Sequence, residues 1–228
     1  MIRVAVAGAA GRMGEMVCTA VEGAEDMELI GRADPLLGVT LEDVLPDAEV
    51  VVDFTRPDTA LGNALTCVRA GVHVVVGTTG FDPAPLRQAR PAEGRPNANV
   101  LIAPNFAIGA VLMMRFAAEA AKHMAKAEII ELHHDQKLDA PSGTAARTAE
   151  LMAAATGGEP PGGIPIHSVR LPGLVANQEV IFGDIGQTLA IRHDTIGRES
   201  FMPGVLLAIR RVGSLEQSPV IGLEHLLF

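Results

Sequence analysis

Residues 2–14 read IRVAVAGAAGRMG, a short run of β-branched and apolar residues that ends in a glycine-rich loop. Apolar residues then recur at the spacing of one face of an amphipathic helix, namely Met13, Met16, Val17, Ala20 and Val21. A strand, a glycine loop and a helix in this order begin the dinucleotide-binding α/β folds. We therefore predict that the first half of the chain is a doubly wound, parallel sheet of the Rossmann type.

The glycine loop departs from the usual G-x-G-x-x-G spacing, because its glycines are Gly8, Gly11 and Gly14 and Ala10 takes the middle position. Ala10 would crowd a bound pyrophosphate slightly, whereas Gly11 still allows close approach of the backbone. A second strand, MELIGRAD, ends at Asp34, where a carboxylate can accept hydrogen bonds from the adenosine ribose hydroxyls. The alternative is a tight turn that binds no ligand, and the position of Asp34 argues against it.

Three further apolar runs continue the alternation of strands and helices: VVVDF (50–54), VHVVVGTTG (72–80) and NVLIAPNF (99–106). Continuous apolar runs are typical of parallel strands that are covered on both faces. Thr55 and Asp58 have the spacing of a capping box, with Pro57 in the first turn of a helix and Gly71 after its last turn. Polar residues follow the strands at their carboxyl ends, which is the edge where doubly wound sheets bind ligands.

The charge around Asp34 indicates which dinucleotide would bind. A carboxylate at this position repels the 2′-phosphate of NADP(H), and Pro35 follows where an arginine could have neutralised that phosphate. Arg32 is a complication, because strand alternation places it on the same face as Asp34. We expect NADH to be preferred and NADPH use to be possible.

The order of predicted strands and helices changes in the second half of the chain. A helix over residues 107–124, the strand KAEIIELHH and a helix over residues 141–155 lead into GGEPPGGIP (157–165), whose composition predicts a loop. Three β-rich runs separated by short turns then predict antiparallel pairing, and they read IPIHSVRLPG, LVANQEVIFG and QTLAIRHD. A helical run over residues 200–211 and an apolar tail, PVIGLEHLLF, complete the chain.

These patterns predict two domains. Residues 1–105 would form the dinucleotide-binding domain, completed by residues 213–228. Residues 106–212 would form an α+β domain on an open, mostly antiparallel sheet, which binds the substrate and mediates self-association. We expect self-association because the exposed face of such a sheet needs cover.

The stretch ELHHDQKLDAPSGTA (residues 131–145) joins a strand to a helix and is unusually rich in reactive groups. Proline at a helix start leaves the first-turn amides unpaired, here those of Ser142, Gly143 and Thr144, and the helix dipole makes them an anion site. Lys137 adds an ammonium that can pair with a carboxylate or deliver a proton, and His133 or His134 can act as a general acid. The set predicts a small, doubly anionic substrate that takes up a proton together with a hydride.

The composition excludes several other classes of protein. The formal net charge is −9 and no basic stripe is present, which argues against nucleic-acid binding. We found no apolar window of the length of a membrane span and no signal peptide, so we expect a cytoplasmic protein. Cys18 and Cys67 fall in helical patterns and are expected to be buried thiols rather than ligands or a disulfide.

The chain resembles the 4-hydroxy-tetrahydrodipicolinate reductase (dihydrodipicolinate reductase) family over nearly its whole length. The resemblance rests on five motifs in order: GAAGRMG, VGTTG, APNFAIG, ELHHDQKLDAPSGTA and HDTIGRESFMPGVLLA. It implies hydride transfer from a nicotinamide to 4-hydroxy-tetrahydrodipicolinate, with loss of water, in the biosynthesis of diaminopimelate and lysine. It also implies a homotetramer formed through the C-terminal sheets, with no metal cofactor.

The resemblance implies a role for each site residue. His133 would be the acid/base histidine and Lys137 the proton donor, while the substrate carboxylates would meet His134, Gly143 and Thr144. The cofactor would lie along four segments, which are Gly8, Ala9, Ala10, Gly11, Arg12 and Met13; Asp34; Gly77, Thr78 and Thr79; and Ala103, Pro104, Asn105 and Phe106. Two positions depart from the family, which usually has histidine where this chain has Gln136 and Asn177. Neither side chain can carry a positive charge, so we expect a weaker pull on a dianion.

The sequence also admits other interpretations of the histidines and of the function. Adjacent histidines on a strand point to opposite faces and no third ligand has suitable spacing, so a zinc site at His133 and His134 is disfavoured. Either histidine could instead be a core residue that is satisfied by backbone. Alternative functions are another two-domain NAD-dependent reductase of a small dicarboxylate, or a dinucleotide-sensing protein without chemistry. An aspartate-semialdehyde enzyme would need a nucleophilic cysteine at the cleft, and both cysteines are misplaced for it.

Overall fold

The computed structural model describes residues 1–158 and 163–228, which fall into two compact units. The first unit comprises Met1–Phe106 and Phe201–Phe228, and the second comprises Ala107–Ser200. The middle of the predicted GGEPPGGIP loop, residues 159–162, lies outside the described residues. Within the described part of the chain, no helix is both long and apolar enough to span a bilayer.

The described strands and helices alternate along most of the chain. In chain order the strands are β1 (Ile2–Ala7), β2 (Met27–Ala33), β3 (Val50–Asp53), β4 (His73–Val76), β5 (Val100–Ile102), β6 (Lys126–His133), β7 (Ile166–Arg170), β8 (Ala176–Asp184), β9 (Gln187–Thr195) and β10 (Val220–Ile221). The helices are α1 (Arg12–Glu22), α2 (Leu41–Val44), α3 (Pro57–Ala70), α4 (Ile108–Ala121), α5 (Gly143–Ala155), α6 (Met202–Arg211) and α7 (Glu224–Leu227).

The first unit is built on a six-stranded sheet with the order β10-β5-β4-β3-β1-β2, and all neighbouring strands run parallel. Its central strands are buried on both faces, as Val51 and Val52 in β3 show with no exposed surface. Helix α3 packs Ala60, Ala64 and Cys67 into the core on one of these faces. The predicted doubly wound sheet of the Rossmann type is confirmed.

Helix α6 belongs to the first unit, which corrects the predicted boundary at residues 212 and 213. The helix buries one face that includes Val205 and Ala208. Its Gly204 lies so close to the backbone that an added Cβ would stand 2.0 Å from the carbonyl oxygen of Phe106. The sequence showed that this helix has an apolar face, but helical periodicity does not say which domain that face covers. The other boundary falls after Phe106 rather than before it.

The second unit contains a four-stranded sheet with the order β7-β6-β8-β9. Strands β6, β8 and β9 are antiparallel neighbours, so the predicted open, mostly antiparallel sheet is confirmed. Strand β7 pairs parallel to β6, however, and not antiparallel to β8 as we predicted. The turn residues after β7 favoured a hairpin, but β6 lies between β7 and β8. Helices α4 and α5 contribute to one core with β6 and β8, through residues such as Ala117, Met152, Ile129 and Phe182.

Two helix starts differ from their predictions. Ser142 is the N-cap of α5 and its Oγ accepts a hydrogen bond from the N–H of Ala145 at 3.2 Å, so Pro141 precedes the helix instead of beginning it. Helix α3 is preceded by Arg56, which makes no side-chain cap, and Thr55 does not form the predicted capping box. Pro57 in the first turn and the left-handed Gly71 after the last turn are confirmed. Helix α4 is also shorter than predicted at its C-terminal end.

Candidate active site

The glycine loop of the first unit brings the start of α1 against the end of β1. Gly8 has a φ of +77°, and a Cβ added to it would lie 2.6 Å from the carbonyl oxygen of Phe54. A Cβ added to Gly14 would lie 2.0 Å from the carbonyl oxygen of Gly8. No side chain caps α1, so the N–H groups of Arg12 and Met13 stand in a first turn that has no partners within the helix. Such a turn can bind a pyrophosphate.

Asp34 connects the end of β2 to the glycine loop. Its Oδ2 accepts a hydrogen bond from the N–H of Ala10 at 3.2 Å, and its Oδ1 accepts one from the N–H of Leu36 at 2.9 Å. The residue therefore has a structural role that we did not predict. Each carboxylate oxygen keeps a further lone pair for a ribose hydroxyl. Beside it lies a cavity of about 370 Å³, whose lining includes Gly8, Asp34, Pro35, Val39, Thr55 and Asn63.

Arg32 is engaged with helix α1. Its Nη2 lies 2.7 Å from Oε1 of Glu22, and both side chains are about half exposed. This ion pair raises the pKa of the guanidinium. Arg32 is therefore bound to Glu22 rather than to Asp34.

Asp53 organises the carboxyl ends of β3 and β4, a role that we did not predict from the sequence. Its carboxylate is fully buried and accepts four hydrogen bonds. The donors are the N–H and Oγ1 of Thr55 at 3.0 and 2.7 Å, Nδ2 of Asn63 at 2.7 Å and Oγ1 of Thr78 at 3.3 Å. The signal was a carboxylate at the end of an otherwise apolar strand.

Aromatic packing fixes two of the other predicted cofactor segments. The rings of Phe54 and Phe106 lie 5.7 Å apart at their centroids. Gly77 lies under the Phe54 ring, because a Cβ added to it would come within 2.2 Å of a ring carbon. Thr78 and Ala103 are buried, whereas Thr79 and Pro104 are exposed. All four predicted cofactor segments follow strands of the parallel sheet at their carboxyl ends.

In the second unit, a buried carboxylate lies at the centre of the predicted substrate site. Glu131 is fully buried on β6, and its Oε2 is 2.5 Å from Nδ1 of His133. Arg170, at the end of β7, donates to both carboxylate oxygens at 2.8 and 2.6 Å. The N–H of Ser142 donates to Oε1 at 3.2 Å. We predicted neither Glu131 nor Arg170, although Glu131 stood in the quoted stretch.

These contacts correct the role that we predicted for Ser142. Its N–H is used by Glu131, its Oγ caps α5, and the residue is only 2% exposed. Gly143 is exposed, and a Cβ added to it would meet nothing within 4 Å. The first turn of α5 is thus open at Gly143 and closed at Ser142.

Lys137 lies in the loop that follows β6, where its Nζ is 2.8 Å from both carboxylate oxygens of Asp139. This pair lowers the pKa of Asp139. Arg170 reaches the same loop and donates to the carbonyl oxygen of Asp139 at 2.8 Å. His134 is exposed, whereas His133 is half-buried.

The ionisation of the central pair follows from these contacts. Burial would raise the pKa of Glu131, but hydrogen bonds from Arg170, Ser168 and His133 hold it at about 2. Burial lowers the pKa of His133, the Glu131 carboxylate opposes this change, and Lys137 and Arg170 add to the lowering, so the pKa lies below its ordinary value. Near neutral pH the pair is therefore a carboxylate beside a neutral imidazole.

Known proteins are similar to this chain over its whole length. The family models described as dihydrodipicolinate reductase, N-terminus and C-terminus, match residues 2–106 and 109–227. The 4-hydroxy-tetrahydrodipicolinate reductase of Thermobifida fusca (strain YX) is 52% identical over 247 residues, which cover 100% of this chain and 99% of that protein. The protein of the same name from Mycolicibacterium gilvum (strain PYR-GCK) is 49% identical over 249 residues, with 99% of each chain covered.

A solved structure is similar to both units. Dipicolinate-bound dihydrodipicolinate reductase from Paenisporosarcina sp. TG-14 superposes with a TM-score of 0.85 at 39% identity, and the alignment covers 98% of each chain. The fold, the motifs and the sequence identities agree over the full length. The chain belongs to the dihydrodipicolinate reductase family.

Proposed function

We propose that this protein catalyses the NAD(P)H-dependent reduction of 4-hydroxy-tetrahydrodipicolinate to tetrahydrodipicolinate, with loss of water, in the biosynthesis of diaminopimelate and lysine. The observation that carries the proposal is the loop between β6 and α5. It holds an imidazole, an ammonium and an open helix start within residues 133–144, in a chain about half identical to reductases of that name. These are the groups that reduction of a small dicarboxylate requires.

The substrate side of the reaction has three parts in this proposal. The N–H groups of Gly143 and Thr144 and the dipole of α5 bind one carboxylate of the substrate. His134, which is exposed, meets the other carboxylate. Lys137 leaves Asp139 for the substrate and supplies a proton, and His133 takes up or releases a proton at Nε2.

The residues of the first unit fit a bound dinucleotide. The uncapped start of α1 suits the pyrophosphate, and Asp34 keeps lone pairs beside a cavity that suits the adenosine ribose. The dinucleotide supplies the hydride when it is bound. We propose the segments Gly8–Met13, Asp34, Gly77–Thr79 and Ala103–Phe106 as its contacts. No step requires a metal ion.

We further propose that NADH is preferred over NADPH. Asp34 places negative charge where a 2′-phosphate would lie, and the nearest candidate for compensation, Arg32, is held by Glu22. NADPH would have to draw Arg32 away from its ion pair. A calorimetric measurement of both dissociation constants tests this preference, and tighter binding of NADPH would refute it.

Activity is tested with the condensation product of pyruvate and aspartate semialdehyde. Loss of reduced-nicotinamide absorbance is followed for the wild type, Lys137→Ala and the control Lys122→Ala, whose side chain pairs with Glu119 on α4. We expect Lys137→Ala to lose about 100-fold or more in kcat, with the NADH dissociation constant unchanged. Wild-type protein without activity would refute the function. Equal losses in NADH affinity and turnover would refute the role of Lys137.

We propose that residues of the second unit mediate assembly into a homotetramer. Strand β9 carries a run of exposed residues from Gln187 to Ala190, and Ile185 before it is 97% exposed. An unpaired edge strand that exposes apolar side chains on the strand or beside it, here Leu189 and Ile185, is typical of an interface between subunits. Sedimentation equilibrium tests the assembly, and a monomer at micromolar concentration would refute it.

A cytoplasmic location is proposed as well, since both cysteines are free and buried.

A further inference from the structure

We propose that Glu131 and Arg170 are positioning residues for His133. In this proposal the buried carboxylate fixes a proton on Nδ1 of the imidazole, so that Nε2 is the nitrogen that exchanges a proton with the substrate. This inference rests on the proposed function of His133. It assigns a role to two residues that no sequence motif indicated.

Strand geometry places the two side chains together. Glu131 and His133 are two residues apart on β6, so alternation puts both on the same face of the sheet. Arg170 is the register partner of His133 on the neighbouring strand β7. The carboxylate and the guanidinium therefore reach the imidazole from its own strand and from the adjacent one.

The hydrogen bonds of Glu131 go beyond those of a simple ion pair. A buried carboxylate that only neutralised Arg170 would need no hydrogen bond to the imidazole. Here Oε2 is shared between Arg170 and Nδ1 of His133, and Oε1 is shared between Arg170 and the N–H of Ser142. One carboxylate thus connects the imidazole with the start of helix α5, where we propose that the substrate carboxylate binds.

The bond to Glu131 decides which tautomer the imidazole adopts. A neutral imidazole has one N–H donor and one acceptor nitrogen, and an ionised carboxylate can only accept. Nδ1 must therefore carry the hydrogen, which leaves the lone pair on Nε2. Partners that orient the far nitrogen of a functional histidine serve the same purpose in metal sites and in catalytic triads.

The charges around His133 predict how its titration responds. Glu131 on β6 is the anion that faces it, while Arg170 on β7 and Lys137 in the following loop are the cations. Asp139 pairs with Lys137 at the edge of this group. Replacing Glu131 by glutamine leaves two cations facing the imidazole, so the pKa of His133 should fall.

The experiment is a titration of the ¹⁵N-histidine-labelled protein without ligands, followed by NMR. In the wild type we expect the Nδ1–H tautomer of His133. In Glu131→Gln we expect a mixture of tautomers and a pKa lowered by about one unit or more, because the amide cannot replace the negative charge. The matched control is Glu128→Gln, which removes the carboxylate 2.7 Å from Nε2 of His167 and should leave the tautomer and pKa of His133 unchanged.

Kinetics supply a second readout. The acidic limb of the kcat profile should move to lower pH in Glu131→Gln, while Glu131→Asp should keep the tautomer and recover part of the rate. The dissociation constant of NADH should stay within twofold of the wild-type value in both variants, because the substitutions affect proton transfer at His133 and not cofactor binding.

Two outcomes would overturn the inference, and a third would overturn the proposed function on which it rests. The Nε2–H tautomer in the wild type contradicts it directly, even if Glu131→Gln does not fold. An unchanged tautomer and pKa in Glu131→Gln also contradicts it. A fully active His133→Gln refutes instead the proposed role of His133, whatever the tautomer, so the two failures can be told apart.

Discussion

Lys137 donates to both carboxylate oxygens of Asp139 at 2.8 Å, so the ammonium that we assign to the substrate already has an anionic partner. The lysine side chain is 21% exposed and that of Asp139 is 61% exposed. A pair with one partner in solvent is weak, so a bound dicarboxylate can displace it. In the proposed function, Asp139 thus competes with the substrate for Lys137.

Removing this competitor should favour the substrate. We expect Asp139→Asn to lower KM for the dicarboxylate by about two- to fivefold, because exposed ion pairs are worth less than roughly 1 kcal/mol. Steady-state kinetics at low ionic strength measure the effect. The control is Glu150→Gln, which removes the partner of Arg147 on α5. A higher KM in Asp139→Asn would mean that Asp139 holds the ammonium in place for the substrate.

Asp53 should matter for the stability of the first unit. Replacement by asparagine turns one acceptor oxygen into a donor that faces the donors Thr55, Asn63 and Thr78. We expect Asp53→Asn to lower the free energy of unfolding by about 3 kcal/mol, since buried unsatisfied groups carry a penalty of this size. Urea unfolding measures it, with the exposed Asp58→Asn as control. Equal midpoints for the two variants would contradict this role.

Cofactor selectivity should respond to Glu22. Glu22→Gln removes the charge that holds Arg32, which can then approach a 2′-phosphate. We expect the dissociation constant of NADPH to fall about threefold while that of NADH is unchanged, a gain in the range of a single exposed charge. Titration calorimetry measures both constants, and Glu28→Gln on the same strand as Arg32 is the control. Parallel changes for the two cofactors would show that Arg32 does not read the phosphate.

The loss of unfolding free energy at low pH should depend on Glu131. Its pKa is about 2 in the folded protein against an ordinary value of 4.5. Because the folded value is the lower one, the ionised carboxylate stabilises the fold above pH 4.5, and this contribution is lost as the pH falls toward 2. A difference of this size corresponds to about 3 kcal/mol. Urea unfolding from pH 6 to pH 3 should show more than half of this loss in wild-type protein and a flatter curve in Glu131→Gln.

The sequence was sufficient to predict the parallel strands and the glycine loop of the first unit, because continuous apolar runs followed by glycine loops are typical of one fold class. It was less informative where a residue serves two elements at once. Asp34 was identified by its position, but its bond to Ala10 depends on a loop conformation that spacing does not encode. We predicted helix α6 from its periodicity but assigned it to the wrong unit, because an apolar helix face does not show which core it packs against.

The proposed substrate site shows the same difference between what the sequence predicts and what it does not. The stretch that contains His133 and Lys137 was recognisable because its residue types are rare together. Arg170 was not, because β7 becomes a neighbour of β6 only through parallel pairing across a long connection. The sequence predicts a free donor at Ser142, whereas in the structure its N–H is bound to Glu131. Contacts between strands that are distant in sequence are what a single sequence conceals.

The placement of α6 and β10 has a consequence for synthesis of the chain. Strand β10 pairs with β5, and Gly204 packs on Phe106, so the nucleotide-binding half lacks a strand and a helix until residues 202–221 have left the ribosome. The second unit, residues 107–200, is contiguous and is translated in full before then. Fragments truncated before residue 202 should therefore contain a structured second unit beside an unfinished first one, and limited proteolysis of such fragments would reveal the asymmetry.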